Sequence, residues 1–348
     1  VSNIYFRHHS AGLINQVMSV ETAFSLAFLE NAHLYIYNAI QTDANPILIP
    51  TVLINKAHVE YEELYAGSYQ PSIFDLLNIP SNISYTLDNN KNLDEKYTKD
   101  ALNYSDLIFY YYRCGESHSD EKSFAEGRNR LITEPNKNIH LYKATFPLYS
   151  RFFYNRPVSL DKFLSQLTFK EPYQILAKRI AKRIGPFRGF HFRLTDNCKN
   201  YDYFKITLEY LNERFNRTDI PLIITSDDKD TVKKLFNQKC IFIDEIIREE
   251  FSDDFLNLPF HNHIVFAMIS LLVMGYSEEF IGTLGSTFSG YIHRLRTLMG
   301  STDQMNYLPS GREKKIDAIG KPYSWNSSNL PTEIKNWYRE WPECKLQI

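Results

Sequence analysis

From Gly189 to Leu298, short apolar runs of strand length alternate with segments of helical periodicity, and this rhythm restricts the fold more than any other feature. Gly189 to Phe192 reads as a strand, Tyr203 to Phe215 as a helix, Pro221 to Thr225 as a strand and Asp230 to Asn237 as a helix. Cys240 to Ile243 and Glu279 to Gly282 read as further strands, with helices at His263 to Met274 and Ser289 to Leu298. Strands alternating with helices predict a parallel sheet covered on both faces. Each predicted strand runs into polar residues: His191 to Asp196, Ser226 to Asp228, Asp244 with Glu245, and Thr283 to Ser289. In open sheets of this kind ligands bind outside the carboxyl ends of the strands.

The amino-terminal segment has the same grammar. Ile4 to Arg7 is a predicted strand, Asn15 to Glu30 a helix by its apolar spacing, and His33 to Tyr37 a second strand. Gly12 and Asn15 sit at the loop-to-helix junction, where free backbone N–H groups and the positive end of the helix dipole suit an anion. An ordinary turn with Asn15 as a helix cap accounts for the same residues. Between 41 and 145 the pattern is less regular: Ile47 to Ile54 and Leu107 to Tyr112 have strand character, separated by polar loops such as Asp88 to Lys99. Ser159 to Phe169 and Pro172 to Ile184 are amphipathic helices, and the lobe boundary falls near residue 170. The expected organisation is a lobe over residues 1–170 and a lobe over 171–330. The tail from Gly300 reads as loop as far as a last helix at Thr332 to Trp341, and this final segment, 331–348, crosses back to the first lobe.

The bulk numbers exclude several classes. A chain of 348 residues can bury a large core, and a formal net charge of -2 argues against broad binding to nucleic acid or an anionic membrane. The longest apolar run, Ile264 to Tyr276, is too short to span a bilayer and reads as a buried helix. Cys114, Cys198, Cys240 and Cys344 are too far apart for zinc spacing. Two alternating histidines, His261 and His263, form either a metal pair or a helix cap region, and no other metal-type spacing is present. A conventional NAD fingerprint, a P-loop and a serine-hydrolase elbow are all missing.

What remains is an anion-handling set. His191 and Arg193 alternate at a strand end, with Asp196 just beyond; a fixed guanidinium beside a fixed imidazole suits a phosphate leaving group. One buried ring and one surface charge explain that spacing equally simply. Gly285, Ser286, Thr287, Phe288 and Ser289 form a small-residue loop between a strand and a helix, a source of N–H groups and hydroxyls for phosphate, or else a plain helix cap. Asp227 and Asp228 bind a base or ribose, or cap the next helix.

Three motifs, in order along the chain, resemble the GDP-fucose-dependent fucosyltransferase superfamily, above all its protein O-fucosyltransferase-like branch. Ala11-Gly-Leu-Ile-Asn-Gln16 resembles the family's first glycine-rich loop, Gly189-Phe-His-Phe-Arg-Leu-Thr-Asp196 its H-x-R strand end, and Phe280 to Arg296 its phosphate loop and basic helix. The resemblance implies an α/β chain of GT-B type, with two Rossmann-like lobes facing a central cleft. It implies an inverting, metal-independent transfer of fucose from GDP-fucose to a glycan or protein acceptor, with GDP-fucose as donor substrate and no cofactor. Arg193 would hold the β-phosphate and the glycosidic oxygen. His191 would contact the donor, Ser286, Thr287 and Phe288 would line the nucleotide, and Asn15 would reach in from the first lobe. Three positions depart from the family: Ala11 and Ile14 stand where glycine is usual, and Ser270 where relatives place an aspartate. His9 is the candidate general base, since a neutral imidazole fits that task. A non-catalytic binder of nucleotide sugars or glycans, a transferase of another GDP-sugar, and a phosphate enzyme with His191 as nucleophile are the competing readings. No leader is visible, which favours a cytoplasmic enzyme; a start at Val1 leaves a Golgi or ER enzyme open.

Overall fold

The computed structural model describes residues 3–7, 13–37, 72–88, 107–110, 139–142, 163, 165–193, 219–235, 240–283, 286–299, 305–308 and 323–325. The chain divides into two compact units, one holding the described residues up to Lys170 and the other those from Glu171 onward.

The first unit is built on a five-stranded sheet of β1 (Asn3–Arg7), β2 (His33–Tyr37), β3 (Tyr85–Asp88), β4 (Leu107–Tyr110) and β5 (Ile139–Tyr142), in the order β3-β2-β1-β5-β4. Every pairing is parallel. On β1, Ile4 and Phe6 alternate into the core while Tyr5 stacks on Tyr35 with ring centroids 5.1 Å apart. Helix α1 (Leu13–Glu30) connects β1 to β2. Its apolar positions are buried as the periodicity predicts, but so are Gln16, Ser19, Glu21, Thr22 and Ser25. The helix is therefore enclosed on all sides rather than amphipathic at a surface.

A one-turn helix, α2 (Ile73–Leu76), starts at a capping box in which Ser72 Oγ accepts from Phe74 N and Asp75 accepts from Ser72 N. The expected helix from Ser159 to Phe169 is not continuous. Residues 165–170 are turn and extended chain, with Leu77 bridged to Phe169, Asn78 N donating to Thr168 O and Lys170 N to Leu76 O. Phe163, Leu167 and Phe169 are all buried, Phe163 stacked on Phe28 at 4.6 Å. Helical spacing of these three apolar residues is satisfied here by a turn pairing with distant backbone. Strands β3 and β5 were not legible in the sequence, and Asp88, read as the start of a polar loop, ends β3.

Among the described residues the second unit carries six strands: β6 (Arg188–Phe192), β7 (Leu222–Ser226), β8 (Ile241–Phe242), β9 (Glu279–Thr283), β10 (Met305–Leu308) and β11 (Tyr323–Trp325). Their order is β8-β7-β6-β9-β10-β11, parallel except for the last pair. Counted from β6, this is the 3-2-1-4-5-6 order of a doubly wound nucleotide-binding sheet. The helices are α3 (Glu171–Ile184), α4 (Lys229–Leu235), α5 (Ile243–Glu250), α6 (Ser252–Leu256), α7 (His263–Met274) and α8 (Thr287–Leu298). Gly185 ends α3 in the left-handed region at φ 77°, its N–H bonded to Ala181 O, and turns the chain into β6. All five residues of β6 are buried, as befits the central strand of a sheet covered on both faces.

Two sequence expectations change here. The strand predicted over Cys240 to Ile243 is only Ile241–Phe242, and Asp244 and Glu245 lie in the first turn of α5. Glu245 reaches back to Phe242 N and pairs with Lys229 and Lys233, so this third strand end is a capped helix start and not an open loop. The tail beyond Gly300, expected to be loop, supplies β10 and β11. The expected strand at Ile47 to Ile54 and the helices at Tyr203 to Phe215 and Thr332 to Trp341 lie outside the described residues. Among the described residues no helix is long and apolar enough to cross a membrane.

Candidate functional site

A doubly wound sheet has one place where neighbouring strands send their connections to opposite sides, and ligands bind in the crevice there. In the second unit that place is fixed by topology. From β6 the sheet grows through β7 and β8 on one side and through β9 and β10 on the other. The carboxyl ends that flank the switch are those of β6, carrying His191 and Arg193, and β9, which leads to Ser286 and α8.

Helix α8 descends along β9 through three contacts. At the top, Ser289 presses on Gly282: a Cβ built on that glycine would lie 2.5 Å from Ser289 Cβ and 2.7 Å from its Oγ. Lower down, the His293 ring meets Phe280 edge-on at 4.9 Å. At the base, Arg296 donates to Ser277 O, to Ser277 Oγ at 2.7 Å and to Glu278 O at 2.9 Å, anchoring the helix to the turn that enters β9. The basic helix is thus partly a structural clamp. Arg294, likewise buried, lies over the Tyr291 ring at 4.6 Å.

This packing brings the first turn of α8 against the end of β6. His191 Nδ1 lies 2.6 Å from Ser289 Oγ, with both residues buried, and the imidazole lies 4.8 Å from the Phe288 ring. Burial, assisted by the charge of Arg193, pushes the His191 pKa down to about 3, so the ring is neutral at physiological pH. Arg193 follows directly and is half-buried at the strand end. Ser286 caps α8, its carbonyl accepting from Gly290 N at 3.1 Å. Its side chain is 2% exposed, and Ser286 Oγ has no hydrogen-bond partner among the described residues. A buried hydroxyl without a partner costs free energy unless a ligand or water completes it. Here it sits at the head of a twelve-residue helix, where the dipole favours an anion.

The acidic pair after β7 has a different place. Both carboxylate oxygens of Asp228 bind Thr231, at its N–H (3.0 Å) and hydroxyl (2.6 Å), so Asp228 caps α4. Asp228 N donates to Ser226 Oγ, and Asp227 N to Phe192 O at 3.4 Å, tying the ends of β7 and β6 together. At the head of α7, Asn262 caps the helix by accepting from Ile264 N and Val265 N, flanked by His261 and His263. Among the described residues no group of three or more His, Cys, Asp or Glu is placed to hold a metal ion. Ser270 donates to Phe266 O within its own helix.

The structure therefore brings together His191, Arg193, Ser286, Thr287, Phe288 and Ser289. Asn15 lies in the first turn of α1, its side chain outside the described residues, as are His9, Gly12, Asp196 and Gly285. Sequence reasoning missed Gly282 as the surface on which Ser289 rests. A glycine inside a strand pattern is itself a sign of close approach by another element, and that signal was present.

No protein-family model matches the sequence, and no curated protein matches it significantly. Solved structures do match. Arabidopsis thaliana FUT1 in complex with GDP aligns over 93% of this chain and 74% of its own, with a TM-score of 0.51 at 11% identity. The chain has the fold of the GT-B fucosyltransferases. Further similar structures are the fucosyltransferase NodZ from Bradyrhizobium (TM-score 0.47, 10% identity, 93% of this chain and 99% of that one) and POFUT1 in complex with GDP (TM-score 0.43, 14% identity, 88% and 98%). The α/β class expected from the strand and helix rhythm, and the parallel sheet in each of two units that the resemblance implies, are present in the structure.

Proposed function

We propose that this protein transfers fucose from GDP-fucose to a glycan or protein acceptor, with inversion and without a metal ion. The observation that carries the reading is the buried Ser286 hydroxyl at the head of α8, without a hydrogen-bond partner among the described residues, on the same helix turn as the Ser289 that contacts His191 at the sheet's switch point. A diphosphate supplies the partner that the Ser286 hydroxyl lacks among the described residues. The GDP in the Arabidopsis fucosyltransferase structure of the same fold adds support.

In this reading the head of α8, with Ser286 and Thr287, binds the diphosphate. The Arg193 guanidinium lies by the β-phosphate and the glycosidic oxygen. The bond from the anomeric carbon to that oxygen breaks, and its electron pair stays on GDP, where Arg193 and the helix dipole offset the growing charge. The acceptor hydroxyl attacks from the opposite face and gives up its proton to a general base, for which His9 is the candidate. Phe288 lines the nucleotide, and Asn15, Gly12, Gly285 and Asp196 are further candidates for binding the donor. Arg193 here takes the charge that a divalent ion takes in metal-dependent transferases.

A second reading is transfer from a different GDP-sugar: Ser270 stands where the resemblance would put an aspartate, and its hydroxyl is bound within α7. The test is GDP release from GDP-fucose in the presence of EDTA, with wild type and Arg193→Ala. Turnover that survives EDTA and falls roughly 10²–10³-fold in the variant is expected, the loss typical of removing a charge-stabilising donor. Turnover abolished by EDTA, or indifferent to Arg193, contradicts the proposal.

A further inference from the structure

The glycine near the end of β9 has a part in the site itself. We infer that Gly282 is a positioning residue: its missing side chain sets how closely the first turn of α8, which carries Ser286, approaches the end of β6. The inference rests on the reading of the site as a diphosphate site.

Strands β6 and β9 run parallel, with Gly189 paired to Phe280 and Phe190 to Ile281. One step further in the same register, His191 stands beside Gly282. Side chains alternate along a strand, so Phe280 and Gly282 share one face of β9, and Gly189 and His191 share one face of β6. Helix α8 covers that common face: His293 meets Phe280, Ser289 presses on Gly282, and Ser289 Oγ lies 2.6 Å from His191 Nδ1. Gly282, Ser289 and His191 therefore form one packed layer, and all three are buried. Beyond this layer both elements continue towards the carboxyl ends of the strands. Arg193 lies two residues on from His191, about 6.6 Å along the strand direction. Ser286 lies three residues back from Ser289, roughly 4.5 Å along the helix axis. The layer is thus a floor that brings Ser286 and the end of β6 to similar heights. The floor has no room for a side chain at 282. A built Cβ would lie 2.5 Å from Ser289 Cβ and 2.7 Å from its Oγ, while the next nearest atom, Phe280 Cε1, is at 3.2 Å. Ser289 is the obstacle, and a helix moves as a body, so pushing Ser289 off β9 carries Ser286 away from β6.

The experiment is calorimetric titration of GDP into wild type, Gly282→Ala, Ser289→Gly and the double variant. In the wild-type background Gly282→Ala should weaken GDP binding about tenfold, the scale of one weakened hydrogen bond to a charged group. In the Ser289→Gly background the obstacle is gone, and the same alanine should change the dissociation constant by no more than about twofold, as for independent sites. Arg296→Met, destabilised at the far end of α8, should keep the wild-type affinity, which separates positioning from loss of stability. The ¹H–¹⁵N NMR signals of His191, assigned by their loss in His191→Gln, should shift in Gly282→Ala and stay in place in Arg296→Met. Should Gly282→Ala alone be too unstable to titrate, the comparison of the double variant with Ser289→Gly decides. A Gly282→Ala protein that binds GDP like the wild type overturns the inference and leaves the diphosphate site standing. So does an equal loss of affinity in both backgrounds, or a double variant that fails to fold. Failure of the wild type to bind GDP overturns both.

Discussion

Replacing Gly282 by alanine tests the site through its packing. The added Cβ would lie 2.5 Å from Ser289 Cβ, a separation that side-chain atoms essentially never adopt, and neither partner has a flexible end that can swing aside. Either α8 shifts off β9 or the strand bends. Overpacking of this kind costs about 1–3 kcal/mol. If Ser289 moves, the bond to His191 goes with it, adding about 0.5–1.5 kcal/mol. The sum, roughly 1.5–4.5 kcal/mol, corresponds to a fall in melting temperature of roughly 3–18 °C for a unit of about 150–250 residues. The control is Gly185→Ala. That glycine has nothing within 4 Å of a built Cβ but sits at φ 77°, so its cost is only the left-handed backbone, about 1–2 kcal/mol, with no effect at the site. Thermal unfolding and the His191 NMR signals are the assay. A Gly282→Ala protein that melts with the wild type and leaves His191 unmoved refutes the packing argument, and with it the account of how Ser289 is held.

Other consequences follow from particular contacts. Asp228→Ala should cost about 1 kcal/mol of stability through loss of the α4 cap, read from urea unfolding; if GDP affinity also falls more than a few-fold, Asp228 touches the nucleotide as well. Arg296→Met should destabilise through the backbone and hydroxyl oxygens it leaves unbonded, by about 1–3 kcal/mol, with the GDP dissociation constant little changed, since Arg296 works at the base of α8. His191 makes a pH prediction. Its folded pKa is depressed to about 3, below the ordinary histidine value of about 6.5. Its stabilising contribution is therefore fully present above about pH 6.5 and is lost as pH falls towards 3, with a slope approaching about 1.4 kcal/mol per pH unit in between. Unfolding free energies of His191→Gln between pH 4 and 6 should lack that one-proton slope; an unchanged slope would place the ring in a solvated setting.

How much of this was legible beforehand depended on the kind of signal. Residues His33–Tyr37 and His263–Met274 have the bounds that their patterns predict, because one alternates buried Leu34 and Ile36 with half-buried His33 and Tyr35 and the other is a largely apolar, mostly buried helix. Strand β3 was missed because Tyr85, Thr86 and Leu87 form an exposed edge, where no burial pattern marks the sequence. The short helix α5 was read as strand end because Ile241, Phe242 and Ile243 make one apolar run, while the boundary inside it is drawn by Glu245 reaching back to the Phe242 N–H. At the site, His191, Arg193 and the serine loop were visible as chemistry at strand ends. Their convergence was not, since it comes from β9 lying beside β6, a pairing across about ninety residues that no local pattern encodes. The difference between Ser286 and Ser289 is likewise a property of packing: among the described residues one hydroxyl has no partner and the other lies against a ring from β6.

The central claim is a GDP-sugar site at the switch point that works through Arg193. Calorimetric titration of GDP, GDP-fucose, GDP-mannose and UDP-sugars, with EDTA throughout, into wild type and Arg193→Ala tests it most directly. Binding of GDP and GDP-fucose in preference to the UDP-sugars, weakened in the variant, is the predicted result. Selective binding of GDP-mannose would keep the site and replace the donor. Failure of every nucleotide to bind would contradict the account and leave the match to fucosyltransferases as a likeness of fold.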